Sequence, residues 1–148
     1  MKKGSGGETA RMKRLFILAL AAALCGAVPA IVLAQASAPD HVTIELKALN
    51  DSGETGTATL QQSGPDLLVL VRIKDQVAEN QPVHIHEGTC AKLNPKPQYP
   101  FPNIVNRRSQ VKLKNVTIAS LLATPHAINV HRSTTQASIY VACGDIKT

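Results

Sequence analysis

From residue 41 onwards, apolar and polar side chains alternate in short segments that are separated by turn residues. In VTIELKA, one face carries Val42, Ile44, Leu46 and Ala48, and the other carries the polar residues at 43, 45 and 47. This period of two is typical of β-strands with one buried face. Similar segments follow in ETGTATLQQSG, LLVLVRIKD, QPVHIHEG, QVKLKNVTI, HAINVHRS and ASIYVACGDI, and the turn residues SGPD separate the first two of these.

The same pattern sets the fold class. No segment has the pattern of an amphipathic helix, although SLLATP fits a helical turn or part of a connection. Seven to eight short strands separated by turns predict an all-β protein, a Greek-key antiparallel barrel or sandwich. Residues 91–107 contain four prolines and do not alternate. They predict a long ordered loop, and such loops are often functional.

Residues 1–36 have a different pattern. Lys13 and Arg14 precede a long apolar run that ends in Ala34-Gln35-Ala36. A basic start, an apolar stretch and a small-residue cleavage site predict a secretory signal peptide, with Met1 or Met12 as the start. A retained membrane anchor is the alternative. We therefore expect export, into a bacterial periplasm, and one domain over residues 37–148 with no stable membrane anchor.

Removing the predicted signal peptide changes the charge. The whole chain has a formal net charge of +6, but residues 1–36 hold five of the basic residues and one acid, which leaves +2. No basic stripe with interleaved aromatic residues follows, so a nucleic-acid partner is not indicated.

Two of the three cysteines, Cys90 and Cys143, lie in the predicted mature domain. In an oxidising compartment an even pair predicts a disulfide, and two separate buried thiols are the alternative.

The candidate chemistry lies in HIHEGTC, residues 84–90. Residues two apart on a strand face the same way, so His84 and His86 project two imidazoles from one face of the sheet. His131, on a later strand, is the third candidate ligand. Neutral imidazole binds copper, zinc, iron and nickel. By strand parity, His126 points away from His131, and His41 lies at a strand edge as a solvated side chain.

HIHEGTC, NVH and ACG, after a β-rich start with GTATL, resemble the copper/zinc superoxide dismutase family over nearly all of the mature chain. The resemblance implies a Greek-key barrel with a redox copper ion. It assigns copper ligation to His84, His86 and His131, and it implies a disulfide between Cys90 and Cys143 that ties the metal loop to the final strand.

The chain also departs from the family pattern. The family's bridging histidine lies in an H-F-N-P motif, which here reads Lys92-Leu93-Asn94-Pro95. No histidine lies between Cys90 and His126, and no acid lies between Glu87 and Asp145. Copper without zinc is therefore expected. Tyr140 occupies the position of the arginine that guides superoxide in the family.

These features leave two main hypotheses. The first is a copper-dependent superoxide dismutase in which Lys92, with the arginines at 107, 108 and 132, supplies attraction for the anion; solvated loop charge is the alternative role of these residues. The second is a non-enzymatic protein that buffers copper or exchanges it with copper-handling proteins. A three-histidine zinc hydrolase, with Glu87 as its base, and a structural domain without metal are further alternatives.

Overall fold

Nine β-strands and one short helix form the regular structure of residues 37–148, the part of the chain that the computed structural model describes. The predicted signal peptide, residues 1–36, lies outside the described residues. The strands are β1 (His41–Ala48), β2 (Gly56–Ser63), β3 (Asp66–Ile73), β4 (Val83–Thr89), β5 (Lys92–Leu93), β6 (Tyr99–Pro100), β7 (Arg108–Leu113), β8 (His126–His131) and β9 (Tyr140–Asp145), and helix α1 (Ile118–Leu122) precedes β8.

All strand pairs are antiparallel, and the sheet order is β5-β4-β8-β9-β1-β2-β3-β7, with β6 pairing with β4. The sheet curls into a half-barrel. The first part of β1 pairs with β2, whereas Lys47 and Ala48 at its end pair with β9. This change of partner lets one strand serve both halves of the curled sheet. The predicted all-β antiparallel fold is confirmed.

The inner face of the curled sheet is the hydrophobic core, and the alternation along each strand creates it. Val42, Ile44 and Leu46 of β1 are buried, whereas Ala48, expected on the same face, is exposed at the end of the strand. Across the sheet, Val83 and Ile85 of β4 face inwards. Burial of such aliphatic side chains stabilises the fold by about 1.5–3 kcal/mol each. The intervening residues of β4 therefore project from the outer face.

The proline-rich segment contains more regular structure than its sequence predicts. Two strands of two residues each, β5 and β6, pair with β4. The edge of β4 offers unpaired backbone groups, and Gln98 N donates to Ile85 O over 2.9 Å. These strands stay short because proline has no N–H to donate to a ladder. The expectation of a loop without strands is therefore wrong at these positions.

A glycine allows β5 to approach β4. Gly88 has a φ of 98°, and a Cβ atom on it would lie 2.2 Å from the backbone oxygen of Lys92. Both the backbone conformation and the space exclude larger side chains. The turn that follows the histidine strand therefore depends on this residue.

The helical turn that SLLATP suggested is present, but it begins earlier. Thr117 is the N-cap of α1 and accepts a hydrogen bond from Ser120 N, whose side chain completes a capping box. This reciprocal pair satisfies two backbone groups that the first turn of a helix leaves free. Among residues 37–148, no helix combines the length and apolar character needed to cross a membrane.

Candidate metal centre

Two adjacent strands bring three histidines together on the outer face of the sheet. His84 and His86 alternate with core residues along β4, and His131 ends the neighbouring strand β8. A register shift between Val130 and His131 in the pairing with β9 marks a β-bulge, whose extra residue, Val141, lies in β9. One ring nitrogen from each histidine lies within 4.8 Å of the other two. The structure thus places the three predicted residues in one cluster.

The shortest distance in the cluster suits two ligands of one ion. Nδ1 of His84 lies 3.1 Å from Nε2 of His131. Two nitrogens that are each about 2.0–2.1 Å from a metal, at roughly a right angle, would lie about 3 Å apart. Without a metal, this pair can share one hydrogen bond.

Backbone carbonyls accept hydrogen bonds from Nδ1 of His86 and of His131, and these bonds fix the orientation of both rings. His86 Nδ1 donates to Asn94 O over 2.8 Å, and His131 Nδ1 donates to Ala137 O. Because each Nδ1 carries the proton, each Nε2 keeps a lone pair, which is how proteins orient metal-ligating histidines. His86 Nε2 is buried and has no hydrogen-bond partner in the described part of the chain. An ion between the rings would supply that partner.

The environment favours neutral imidazoles at His84 and His131. Burial, with the neighbouring rings of His131 and His86, lowers the pKa of His84 to about 4. Burial also lowers the pKa of His131, against the opposing effect of its hydrogen bond to Ala137. A metal can bind only the unprotonated nitrogen. The site is therefore ready to accept a cation at neutral pH.

A buried polar network holds the backbone of His131. His131 N donates to Pro82 O over 2.9 Å, and His131 O accepts from Gln81 Nε2 over 3.3 Å. The same Gln81 nitrogen donates to the carboxylate of Glu54 over 2.9 Å, and Glu54 also accepts from Val77 N. Burial raises the pKa of Glu54, while these two hydrogen bonds lower it. The sequence alone does not predict this network, since no spacing links residues 54, 81 and 131.

Tyr140 borders the cluster. Its ring meets the ring of His131 edge-on, with centroids 5.0 Å apart. Asn50 Nδ2 donates to Tyr140 O over 2.9 Å and anchors the start of β9. A neutral aromatic group therefore lies against one candidate ligand at the position where the family resemblance expects a guiding arginine.

The remaining residues named for anion attraction lie at the surface. Lys92 is in β5, two residues before the carbonyl that orients His86, and its side chain is exposed. Arg107, Arg108 and Arg132 are also exposed. Glu87, the candidate base of the hydrolase hypothesis, is exposed as well. The roles of these residues remain predictions.

The predicted disulfide is present, and the alternative of two separate thiols is wrong. Cys90 and Cys143 are bonded, with their Cα atoms 5.8 Å apart. Beside the bond, Cys90 N donates to Asp145 Oδ1 over 2.7 Å. The segment that follows the two histidines of β4 is thus joined to the last strand.

The other two histidines of residues 37–148 lie outside the cluster. His41 is exposed, and one ring nitrogen lies 3.1 Å from Gln61 Oε1. His126 is buried, and its Nε2 lies 2.7 Å from Gln98 Oε1. Its Nδ1 faces backbone carbonyls of the α1 connection.

The arrangement defines a class of site: three imidazoles on an antiparallel β-sheet that could hold one metal ion. Copper, zinc, iron and nickel all accept such ligands. No family model and no curated protein matches the chain.

Proposed function

We propose that the protein is an exported, copper-binding, divergent member of the copper/zinc superoxide dismutase family. In this proposal, one copper ion at His84, His86 and His131 supports the conversion of two superoxide anions and two protons into O2 and H2O2. The observation that carries the proposal is the pair of oriented rings, in which His86 and His131 each donate Nδ1–H to a carbonyl and present Nε2 to the cluster. The antiparallel half-barrel and the disulfide beside the site agree with it.

The donor set also fits copper in its chemistry. Imidazole nitrogen ligates both copper oxidation states, and copper would supply one-electron oxidation and reduction. The protein holds the nitrogens of His86 and His131 in place through Asn94, Ala137 and the backbone contacts of His131. His84 is half-exposed whereas His86 is buried, so a small anion would approach from the side of His84.

Zinc is not part of the proposal. Between Glu87 and Asp145 the chain offers no carboxylate, and between Cys90 and His126 it offers no further histidine. A second metal site of the family type would need such ligands from this region. Lys92 occupies the position of the bridging histidine, and its exposed cation would instead attract superoxide.

One observation favours a second candidate, a protein that buffers or delivers copper without catalysis. Tyr140, a neutral residue, packs against His131 where the family has its guiding arginine, which removes a group that would speed anion capture. Against a Cu(I) shuttle, residues 37–148 contain no methionine, and their two cysteines are bonded to each other. The soft sulfur ligands that favour Cu(I) are thus missing.

Superoxide consumption by the copper-loaded protein separates the two candidates. The matched pair is His86→Ala, which removes a cluster nitrogen, and His126→Ala, which removes a buried histidine outside the cluster. We expect activity in wild type and in His126→Ala, and its loss in His86→Ala. Activity no greater than that of free copper, with copper still bound, would refute catalysis and leave the buffering function.

A further inference from the structure

Buried polar side-chain atoms without partners are concentrated beside the candidate metal centre. Within residues 37–148, four such atoms occur: Gln81 Oε1, His86 Nε2, and both Oδ1 and Nδ2 of Asn129. Native proteins leave few buried polar atoms unpaired, because each loses its hydrogen bonds to water without replacement. A bound metal ion would account for the missing hydrogen-bond partner of His86 Nε2. The side-chain amide of Asn129 has no such explanation in the protein alone.

The strand register places Asn129 next to the histidines. In β8 it pairs directly with His84 of β4, and on its other side it pairs with Cys143 of β9. The Cβ atoms of directly opposed residues in an antiparallel pair lie about 4.5–5.5 Å apart on the same face. Asn129 therefore shares the outer face with His84, and it precedes His131 by two residues along β8.

Asn129 is more deeply buried than His84, the residue that it faces across the strand pair. Asn129 is fully buried, as is His86, whereas His84 is half-exposed. Its neighbours Ile128 and Val130 point into the hydrophobic core, on the opposite face of β8. An apolar side chain of the same shape would avoid the cost of desolvating the amide. The amide is thus kept at a position where it does not help the metal-free fold.

We propose that Asn129 is a further ligand of the bound metal, with its amide oxygen reaching the ion from the buried side of the three histidines. This inference rests on the proposed metal-binding function. An amide oxygen is a weak neutral donor, of the kind found as an additional ligand beside stronger nitrogen donors. It would add a fourth donor on the buried side and leave the solvent side to the anion.

Asn129→Leu tests the proposal, since leucine keeps the shape and removes the polar atoms. With the full-length protein and Cu(II) as the probe, we expect Cu(II) affinity to fall by about 10-fold or more, as changes around metal ligands typically do. The copper spin-resonance spectrum should change, and the metal-free variant should unfold at a higher temperature than wild type. Asn129→Asp, which keeps an oxygen donor, should retain tight binding.

The control is Ile128→Val on the opposite face of β8, which alters packing without touching the amide. It should leave the affinity and the spectrum unchanged.

If Asn129→Leu has wild-type affinity and spectrum, Asn129 is not a ligand. If leucine prevents folding, Asn129→Ala gives the same comparison. A wild-type protein that binds no copper overturns the proposed function itself.

Discussion

Removing the disulfide should cost a large part of the stability of the fold. Cys90 and Cys143 are 53 residues apart in sequence, so the bond closes a loop that spans most of the metal-site half of the domain. In the chain-entropy description, a loop of this length restricts the unfolded chain by about 4 kcal/mol at 25 °C. Domains of this size have total unfolding free energies of about 5–15 kcal/mol. The double variant Cys90→Ala/Cys143→Ala should therefore still fold, but with a much smaller free energy of unfolding.

Urea-induced unfolding of the metal-free protein measures this loss. The free energy of unfolding should fall by about 4 kcal/mol in the double variant, with a small further cost from the cavity at Cys143, which is buried. Wild type in the presence of reductant should show a comparable loss, and reductant should not affect the double variant. A difference of less than about 1 kcal/mol between wild type and the double variant would refute the reasoning.

Three further predictions concern the metal site. Replacing His84 or His131 with alanine should lower Cu(II) affinity strongly, whereas His126→Ala should leave it unchanged; titration by calorimetry checks this, and equal losses in all three variants would contradict the ligand assignment. The metal-free protein should lose stability as the pH falls from about 6.5 towards 4, because the unfolded chain then binds a proton that His84, with its folded-state pKa of about 4, does not. Thermal unfolding between pH 7 and 4 should show a smaller slope in His84→Ala, and identical slopes would count against the pKa shift. If the protein is a dismutase, Lys92→Glu should slow superoxide consumption and flatten its dependence on ionic strength while copper stays bound; an unchanged salt dependence would assign Lys92 to ordinary surface charge.

Much of the fold could be predicted because apolar and polar residues alternate along strands such as β1, which has one buried face. The spacing of Val42, Ile44 and Leu46 predicts the inner face of β1, because residues two apart on a strand face the same way. The same rule places His84 and His86 on the outer face of β4. The rule requires only local sequence. It fails at Ala48, where the strand leaves the core and burial no longer follows parity.

The proline-rich segment shows why other parts could not be predicted. Its two short strands form because the edge of β4 provides backbone hydrogen-bond partners. The local sequence does not predict this pairing. The same holds for the carbonyl of Asn94, which orients His86 through a backbone atom that any residue type could supply. Such contacts depend on the path of the chain rather than on residue identity.

The candidate site divides in the same way. The three histidines are visible in sequence because ligation needs a particular side chain at a particular parity. Glu54 and Gln81 are polar residues in connections, and their burial around the backbone of His131 arises only when three distant segments meet. Asn129 lies two residues before His131 and so shares its strand face, but its lack of partners is a property of the folded sheet.

The most direct test of the central claim is the metal content of the purified protein after exposure to equal amounts of copper and zinc and removal of loose metal. Elemental analysis should give one copper and no zinc per chain, and His86→Ala should retain neither. Stoichiometric zinc alongside copper, or a wild-type protein that keeps no copper, would contradict the account.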